Sequence, residues 1–188
     1  MKTDIIIAGV GGQGILSIAT VIAQAALAAE NLYIKQAEVH GMSQRGGDVQ
    51  SNLRISDRPI ASDLISLGQA DIIIAMEPME ALRYKHYLAA DGWIITSSNP
   101  LGNYPDIDAV IAELKEMKNV ILIDTDTLGK ENRMPKAVNM ILLGAASKAL
   151  KSIDFEKLCQ SVRTIFGAKG EAVVDMNIKA LEIGRNCK

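Results

Sequence analysis

Cysteine is scarce in this sequence, and its scarcity excludes several kinds of redox and metal site. The chain has two cysteines, Cys159 and Cys187, and no C-x-x-C spacing. These residues by themselves build neither an iron–sulfur cluster nor a structural zinc site, so any such cofactor must lie on another chain. We expect both to be reduced thiols in or near helices, as in a cytosolic protein.

An excess of basic charge and a membrane-length apolar run are also missing. The formal net charge is −2 and the isoelectric point is near 5.7, which predicts neither a nucleic-acid partner nor an anionic membrane. The longest apolar stretch, 15–29, is interrupted by Ser17, Thr20 and Gln24, and it is shorter than the roughly 20 residues of a membrane span. An early aspartate and the glycines after it argue against a signal peptide, so we expect a cytoplasmic protein.

Apolar residues are abundant, and their spacing predicts the fold. They make up 48% of the 188 residues, enough for one domain spanning 1–188 with a substantial core. Nearly continuous apolar runs alternate with segments of helical period, which predicts a three-layer, mostly parallel, Rossmann-like α/β sheet. The predicted strands are 4–10, 70–76, 92–98 and 119–125, and the helices between them are 15–30, 78–88 and 107–117.

Two further regions depart from this alternation. Segment 49–62 alternates apolar and polar residues before a D-R-P turn signal, which predicts an antiparallel excursion, in the form of a hairpin. After residue 126 the strand pattern ends, and a C-terminal helical segment is predicted. Its helices are 135–150, 155–165 with Asp154 as the N-cap, and 171–183.

The first apolar run ends in a glycine loop, G-V-G-G-Q-G. Gly9, Gly11 and Gly14 satisfy G-x-G-x-x-G between a predicted strand and a predicted helix, which is the context of a dinucleotide-binding turn. Such a site needs an acid about 20 residues later to hold the ribose, and the nearby candidate, Glu38, is not well placed. Taken alone, the spacing leaves two interpretations open: a nucleotide site, or a structural turn with no cofactor.

A second loop follows the segment LYIKQA, 32–37, which is the candidate for the second strand of the dinucleotide-binding pattern. Segment 40–47 contains His40, Ser43, Arg45, Gly46 and Gly47. Because loops that leave parallel strands emerge at the carboxyl edge of a sheet, we expect this loop to lie beside the glycine loop.

Arg45 has two possible roles in that loop. Its guanidinium suits a carboxylate or phosphate near the start of the first helix. Alternatively, it pairs with Glu38 or Asp48 and only holds the loop in shape. His40 is a lone histidine, more often a hydrogen-bonded structural residue than a base, and His86 is expected to be solvated. The sequence contains no H-E-x-x-H, G-x-S-x-G or P-loop motif.

Several stretches together resemble one protein family. The segments IIIAGVGGQGI, EVHGMSQRGGDVQSNLRIS, PIASDLISLGQADIIIAMEPMEALR and MPKAVNMILLGA, with the tail DMNIKALEIG, are similar to the gamma-type subunits of 2-oxoacid:ferredoxin oxidoreductases. The loop EVHGMSQRGG resembles most the beta subunit of indolepyruvate:ferredoxin oxidoreductases. The resemblance covers nearly the whole chain.

The resemblance implies a division of labour between chains. A large partner would carry thiamine diphosphate and iron–sulfur clusters, decarboxylate the 2-oxoacid, pass electrons to ferredoxin and hand the acyl group to coenzyme A. The small chain would assist assembly and shape the site, without activity, a catalytic residue or a metal of its own. Its two signature loops are expected to face a partner chain or the coenzyme A region. They match the family at Gly9, Gly11, Gly12, Gln13, Gly14, Arg45, Gly46 and Gly47, and His40 and Ser43 complete the set of candidate loop residues.

Three alternatives stay open at this point. The first is a gamma subunit of a pyruvate, 2-oxoglutarate or 2-oxoisovalerate enzyme. A free-standing NAD(P)-dependent dehydrogenase is suggested by G-x-G-x-x-G and Glu38 alone. A module that senses coenzyme A or a nucleotide and regulates its partner is the third.

Overall fold

A six-stranded sheet forms the centre of the molecule. The computed structural model describes residues 1–29, 31–40, 47–102 and 106–187. The strands are β1 (Lys2–Val10), β2 (Tyr33–His40), β3 (Asp48–Ser56), β4 (Ala70–Ala75), β5 (Leu88–Ser97) and β6 (Val120–Ile123).

Seven α-helices are formed by the described residues. They are α1 (Ile15–Leu27), α2 (Pro78–Arg83), α3 (Ile107–Glu116), α4 (Thr125–Glu131), α5 (Val138–Ala146), α6 (Phe155–Phe166) and α7 (Glu171–Asn186). In the same part of the chain, none of these helices is both long enough and apolar enough to cross a membrane.

The strands lie in the order β2-β3-β1-β4-β5-β6. The pairs β1–β4, β4–β5 and β5–β6 are parallel, whereas β3 is antiparallel to both β1 and β2. The predicted antiparallel excursion is therefore confirmed for β3, which lies between β2 and β1. The predicted hairpin within 49–62 is wrong in its location: β3 pairs with the preceding strand β2, and the described segment 57–69, from the D-R-P signal onward, forms no strand. The remaining strands run in one direction, as the mostly parallel prediction requires.

Helices cover both faces of the sheet, and they explain why its central strands are apolar throughout. Ile5 and Ile7 of β1 belong to a cluster with α1, α5, α6 and α7, whereas Ile6 points to the opposite face and packs with α2 and α3. All three isoleucines are fully buried. The three-layer α/β fold is thus confirmed, and continuous apolar runs arise where a strand is buried on both faces.

Several element boundaries differ from the predicted ones. α2 ends at Arg83 and a short 3-10 turn leads into β5, which begins at Leu88 rather than at 92. The predicted helix 135–150 is shorter, because α5 spans only Val138–Ala146. Asp154 is the N-cap residue of α6 as expected, but its side chain makes no capping hydrogen bond.

Helix α4 is absent from the predicted set. The apolar pattern predicts that residues 124 and 125 end a strand. Instead, the Asp124 carboxylate accepts a hydrogen bond from the Thr127 backbone N–H (2.9 Å) and starts a helix. Asp is a favoured N-cap residue, so the local chemistry ends the apolar pattern two residues early.

Candidate functional site

The direction in which the strands are connected reverses between β1 and β4. From β1 the chain passes through α1 toward β2 on one side, and from β4 it passes through α2 toward β5 on the other. The two helices pack on opposite faces of the sheet. In open α/β sheets, ligands bind in the crevice that opens at such a reversal, at the carboxyl ends of the strands.

The glycine loop lies at this reversal and is fastened to the end of β4. The Gln13 side-chain oxygen accepts a hydrogen bond from the Val10 N–H (2.7 Å), and its amide nitrogen lies 3.5 Å from the Met76 carbonyl oxygen. The Met76 N–H in turn donates to the Ala8 carbonyl (2.9 Å). Gln13 therefore holds the loop in one position across the crevice, which is a structural role that the sequence motif does not specify.

Gly14 begins helix α1. Its φ is 79°, in the left-handed region that favours glycine, and α1 has neither a side-chain cap nor an acidic residue in its first turn. An uncapped helix start of this kind favours a negatively charged ligand. The Gly14 carbonyl accepts a hydrogen bond from the Asn139 side chain (3.3 Å), so the starts of α1 and α5 are held together.

The end of the second loop contacts the first loop. The Gly11 N–H donates to the Gly47 carbonyl oxygen at 2.9 Å, so these two residues are neighbours, as expected from the strand directions. The backbone of His40 ends β2 opposite Val49. Ser43, Arg45 and Gly46 lie outside the described residues, and so does the suggested pairing of Arg45 with Glu38 or Asp48. The roles of all these loop residues stay predictions.

Glu38 is not placed to bind a ribose beside the glycine loop. In a dinucleotide-binding fold the second strand lies next to the first, but here β3 separates β2 from β1. Two strand spacings correspond to about 10 Å. The Glu38 carboxylate accepts a hydrogen bond from the Gln36 side chain (2.9 Å) on its own strand. His86, the other residue considered alone, is exposed in the 3-10 turn as expected.

A pocket of about 600 Å³ opens at the crevice. Its walls come from the glycine loop, the ends of β4, β5 and β6, the start of α5 and the segment from the end of α6 into α7. The lining residues that matter below are Gly12, Gln13, Gly14, Asn99, Lys136, Asn139, Lys169 and Asn177. This volume is within the range of small-molecule and cofactor sites.

The pocket carries positive charge and hydrogen-bond donors. Lys136 and Lys169 line it, together with one carboxylate, Asp126. Helix α5 starts at its rim without a side-chain cap or an acidic residue in its first turn, like α1 on the opposite wall. The combination suits a ligand with phosphate or carboxylate groups.

A polar network that extends from buried Ser97 and Thr125 to exposed Asp124 stiffens the wall formed by β5 and β6. The Ser97 and Thr125 hydroxyls lie 2.9 Å apart, and both donate to the Asn99 side-chain oxygen. The Asn99 amide donates to Asp124 (2.9 Å). The pKa of Asp124 is lowered, most of all by the hydrogen bond from the Thr127 backbone N–H and next by the hydrogen bond from the Asn99 side chain. The network joins the two strand ends, so this wall is fixed before any ligand arrives.

Two buried acids lie just behind the glycine loop, at the start of α2. Glu77 caps the helix by accepting a hydrogen bond from the Glu80 N–H (3.0 Å), and Glu80 pairs with Arg83 (3.0 Å). Burial raises the pKa of both carboxyls, and it raises the pKa of nearby Tyr84 to about 12. One oxygen of each carboxyl has no hydrogen-bond partner among the residues that the structure describes.

The sequence motifs locate only part of the pocket. Its second half, from β5, β6, α5 and the α6–α7 segment, was not among the candidate residues. The polar residues at 97–99 and 124–126 directly follow apolar strands, and that position was a usable signal for a site at the carboxyl edge. The two lysines had no comparable signal, because isolated lysines are common on any surface. Within the described ranges, no group of three or more potential metal ligands is found.

Comparison with known proteins gives the family. Residues 4–187 match the pyruvate ferredoxin/flavodoxin oxidoreductase family. The chain is 34% identical to the indolepyruvate oxidoreductase subunit IorB of Archaeoglobus fulgidus over 198 residues, covering 99% of this chain and 95% of that protein.

Two solved structures share the fold. One is a 2-oxoglutarate:ferredoxin oxidoreductase from Magnetococcus marinus, described with 2-oxoglutarate, coenzyme A and succinyl-CoA bound (TM-score 0.77, 24% identity). The match covers 98% of this chain but only 30% of that much longer one. The other is the gamma subunit of a keto/oxoacid ferredoxin oxidoreductase from Geobacter sulfurreducens (TM-score 0.73, 21% identity), with 98% and 94% of the two chains covered. By its sequence and its fold, the chain is a member of the pyruvate ferredoxin/flavodoxin oxidoreductase family.

Proposed function

We propose that this chain is the small subunit of an indolepyruvate:ferredoxin oxidoreductase. The observation that carries the proposal is the match of 34% identity along 95% of a protein named as a subunit of that enzyme. The complex would act in the cytoplasm, and the chain would fold as one domain within it. A large partner subunit would hold thiamine diphosphate and the iron–sulfur clusters, for which two cysteines cannot provide the ligands.

The pocket is proposed to receive part of coenzyme A. Two lysines and two uncapped helix starts offer positive charge and N–H donors at one crevice, and coenzyme A carries several phosphate groups. The Magnetococcus enzyme, in which 30% of the matched chain has this fold, was solved with coenzyme A bound. Lys136, Lys169 and the backbone at Gly12 and Gly14 would hold the phosphates, and the glycine loop would serve this ligand rather than a nicotinamide.

Reconstitution tests the proposal. The chain is co-produced with the large thiamine-dependent subunit from the same genome, and reduction of ferredoxin is measured with indolepyruvate and coenzyme A. We expect activity that requires both chains and coenzyme A. Full activity of the large subunit alone, or failure of the two chains to copurify, would refute the assignment.

The 2-oxoacid is tested in the same assay. Pyruvate, 2-oxoglutarate and 2-oxoisovalerate are compared with indolepyruvate at equal concentration. The runner-up, a 2-oxoglutarate enzyme, has the support of a shared fold at 24% identity, against 34% identity for the indolepyruvate enzyme. A higher kcat/KM for 2-oxoglutarate than for indolepyruvate would favour the runner-up.

A further inference from the structure

Strand β2 forms one edge of the sheet and is paired on one side only. It makes eight consecutive pairs with β3, from Tyr33 opposite Ser56 to His40 opposite Val49, without a bulge. Within the described part of the chain, no strand lies on its outer side. A regular edge of this length presents a row of backbone donors and acceptors that another strand can pair with.

Edge strands are usually kept from pairing with other chains by short length, proline or outward-pointing lysine, and β2 has little of this protection. The opposite edge, β6, has only four residues and is too short to template much pairing. β2 is twice that length and contains no proline. Its one lysine, Lys35, does not extend past the edge, because its ammonium donates to the Ala61 carbonyl (3.1 Å). Among the described residues, the edge therefore lacks a proline and an outward-pointing lysine, and its backbone can pair with a partner strand.

Exposed apolar side chains mark the two ends of this strand. Tyr33 is 49% exposed and Val39 is 52% exposed, and both belong to the small set of large hydrophobic residues left in solvent. Both have odd numbers in the strand, so they lie on the same face of the sheet. A partner strand with apolar residues on this face at both of its ends would therefore cover both Tyr33 and Val39.

We propose that β2 pairs with β2 of a second copy of this chain, in antiparallel orientation about a two-fold axis at Gln36. A two-fold axis perpendicular to the sheet keeps each face continuous, so a residue pairs only with a partner residue of the same parity. With Gln36 opposite its own counterpart, Tyr33 lies opposite the partner's Val39, and Val39 lies opposite the partner's Tyr33. The two sheets become one sheet of twelve strands.

The charges on the strand are compatible with this register. Lys35 lies opposite the partner's Ala37, and Glu38 lies opposite the partner's Ile34, so no charge directly faces its own copy. The two Lys35 side chains are diagonal neighbours, but each ammonium is held by Ala61 of its own chain. Registers centred one or two residues away leave Tyr33 without a large apolar counterpart. The self-complementary pattern selects a second copy rather than an unrelated strand.

A cysteine crosslink tests the register. In antiparallel pairs, opposite Cα atoms are about 4.5 or 5.5 Å apart, within the range that a disulfide bridges. In a Cys187→Ser background, Gln36→Cys is expected to form a symmetric disulfide dimer on mild oxidation. Glu38→Cys is the matched control on the same strand, because its counterpart would be about 14 Å away along the strand. Equal crosslinking of the two variants would overturn the proposed register.

Analytical ultracentrifugation tests for the dimer without a crosslink. The purified full chain is expected to show a monomer–dimer equilibrium, and Gln36→Lys is expected to weaken it about fivefold by placing like charges opposite each other. Gln160→Lys, at an exposed position of α6, should leave the equilibrium unchanged. A monomer at every concentration would overturn the proposal. The proposal would also be overturned if the backbone amides of β2 became protected from hydrogen exchange only when the large subunit binds. The proposal does not depend on the enzyme assignment, which the reconstitution tests separately.

Discussion

At the scale of single residues, the charge in the pocket is the feature most open to experiment. Lys136 and Lys169 are exposed side chains that line one cavity from two separate parts of the chain. Lys169 also lies over the Phe166 ring, 5.3 Å from its centre. Neither lysine forms an ion pair among the described residues. Both are therefore available to an anionic ligand.

Removing both lysines should weaken the binding of coenzyme A to the assembled complex. For Lys136→Ala combined with Lys169→Ala, we expect the KM for coenzyme A in the assembled complex to rise roughly tenfold, with kcat nearly unchanged, because the lost contacts are to a non-reacting part of the ligand. Lys151→Ala is the control, since Lys151 lines a different cavity with Met1, Lys2 and Thr3. An unchanged KM would show that the pocket does not bind coenzyme A.

Glu77 makes the stability of the fold depend on pH. Its pKa is raised by burial and then by the nearby Glu80, so the folded chain holds this proton more tightly than the unfolded chain does. Its contribution to stability is therefore greatest below the ordinary glutamate pKa and is lost as the pH rises through the raised value. Glu77→Gln, which carries no proton to lose, should gain stability relative to the wild type as the pH rises.

Denaturant titrations at several pH values check this prediction. The difference in unfolding free energy between Glu77→Gln and the wild type is measured from pH 4 to pH 8. We expect the difference to grow in favour of the variant. Glu116→Gln, at an exposed position of α3, is the control, and its curve should stay parallel to that of the wild type. A Glu77→Gln difference that does not change with pH would contradict a raised pKa.

At the scale of elements, α5 and α7 approach each other closely at two glycines. A Cβ at Gly184 would lie 1.8 Å from the Ile141 carbonyl oxygen, and one at Gly144 would lie 2.1 Å from that of Leu181. The atoms in the way belong to the backbone and cannot rotate aside. α7 therefore packs directly against the backbone of α5, which is buried between α7 and the sheet.

Gly184→Ala should separate these two helices. We expect a loss of about 2 kcal/mol in the free energy of unfolding, because overpacking forces a backbone shift. Gly167→Ala is the matched control: no atom lies within 4 Å of its Cβ position, and its φ is −53°. It should be neutral or slightly stabilising. Chemical denaturation measures both, and equal stability of the two variants would contradict the close packing.

Local patterns predicted the elements better than their arrangement. The strands at 4–10 and 70–76 were evident from apolar runs, because burial on both faces leaves that signature. The insertion of β3 between β2 and β1 was not predictable from spacing, since strand order depends on contacts distant in the sequence. α4 was missed because a capping Asp124 follows an apolar strand without a break. Helix ends depend on single side chains, which periodicity does not resolve.

Only the part of the pocket that the glycine loops form could be predicted from the sequence. The expected contact between the two loops is found at Gly11 and Gly47. The opposite wall, with Lys136, Lys169 and Asn177, is assembled from α5 and the α6–α7 segment, whose packing onto the sheet could not be inferred from their own sequences. The family resemblance supplied what the residue pattern alone left open, the choice between a nicotinamide and a subunit of a larger enzyme.

At the scale of the whole molecule, two hydrophobic clusters share one sheet. Ile5 and Ile7 belong to one cluster and Ile6 to the other, so neighbouring residues of the same strand contribute to both. β1 therefore contributes buried side chains to both clusters. We therefore propose that the described parts behave as a single cooperative unit.

Unfolding of the isolated chain should accordingly occur in one step. Trp93 is the single tryptophan and lies in β5, packed against the first cluster, so its fluorescence reports on the sheet. Far-ultraviolet circular dichroism reports mainly on the helices. We expect the two transitions in urea to coincide. Separate midpoints would mean that the helical layer unfolds independently.

The position of α7 has a consequence for how the protein is made. One wall of the pocket comes from Gly12 and another from Asn177, so most of the polypeptide must be synthesised before the cavity exists. A nascent chain that has only its sheet lacks this second wall. The proposed coenzyme A site would therefore form late in synthesis, after α7 has packed onto α5.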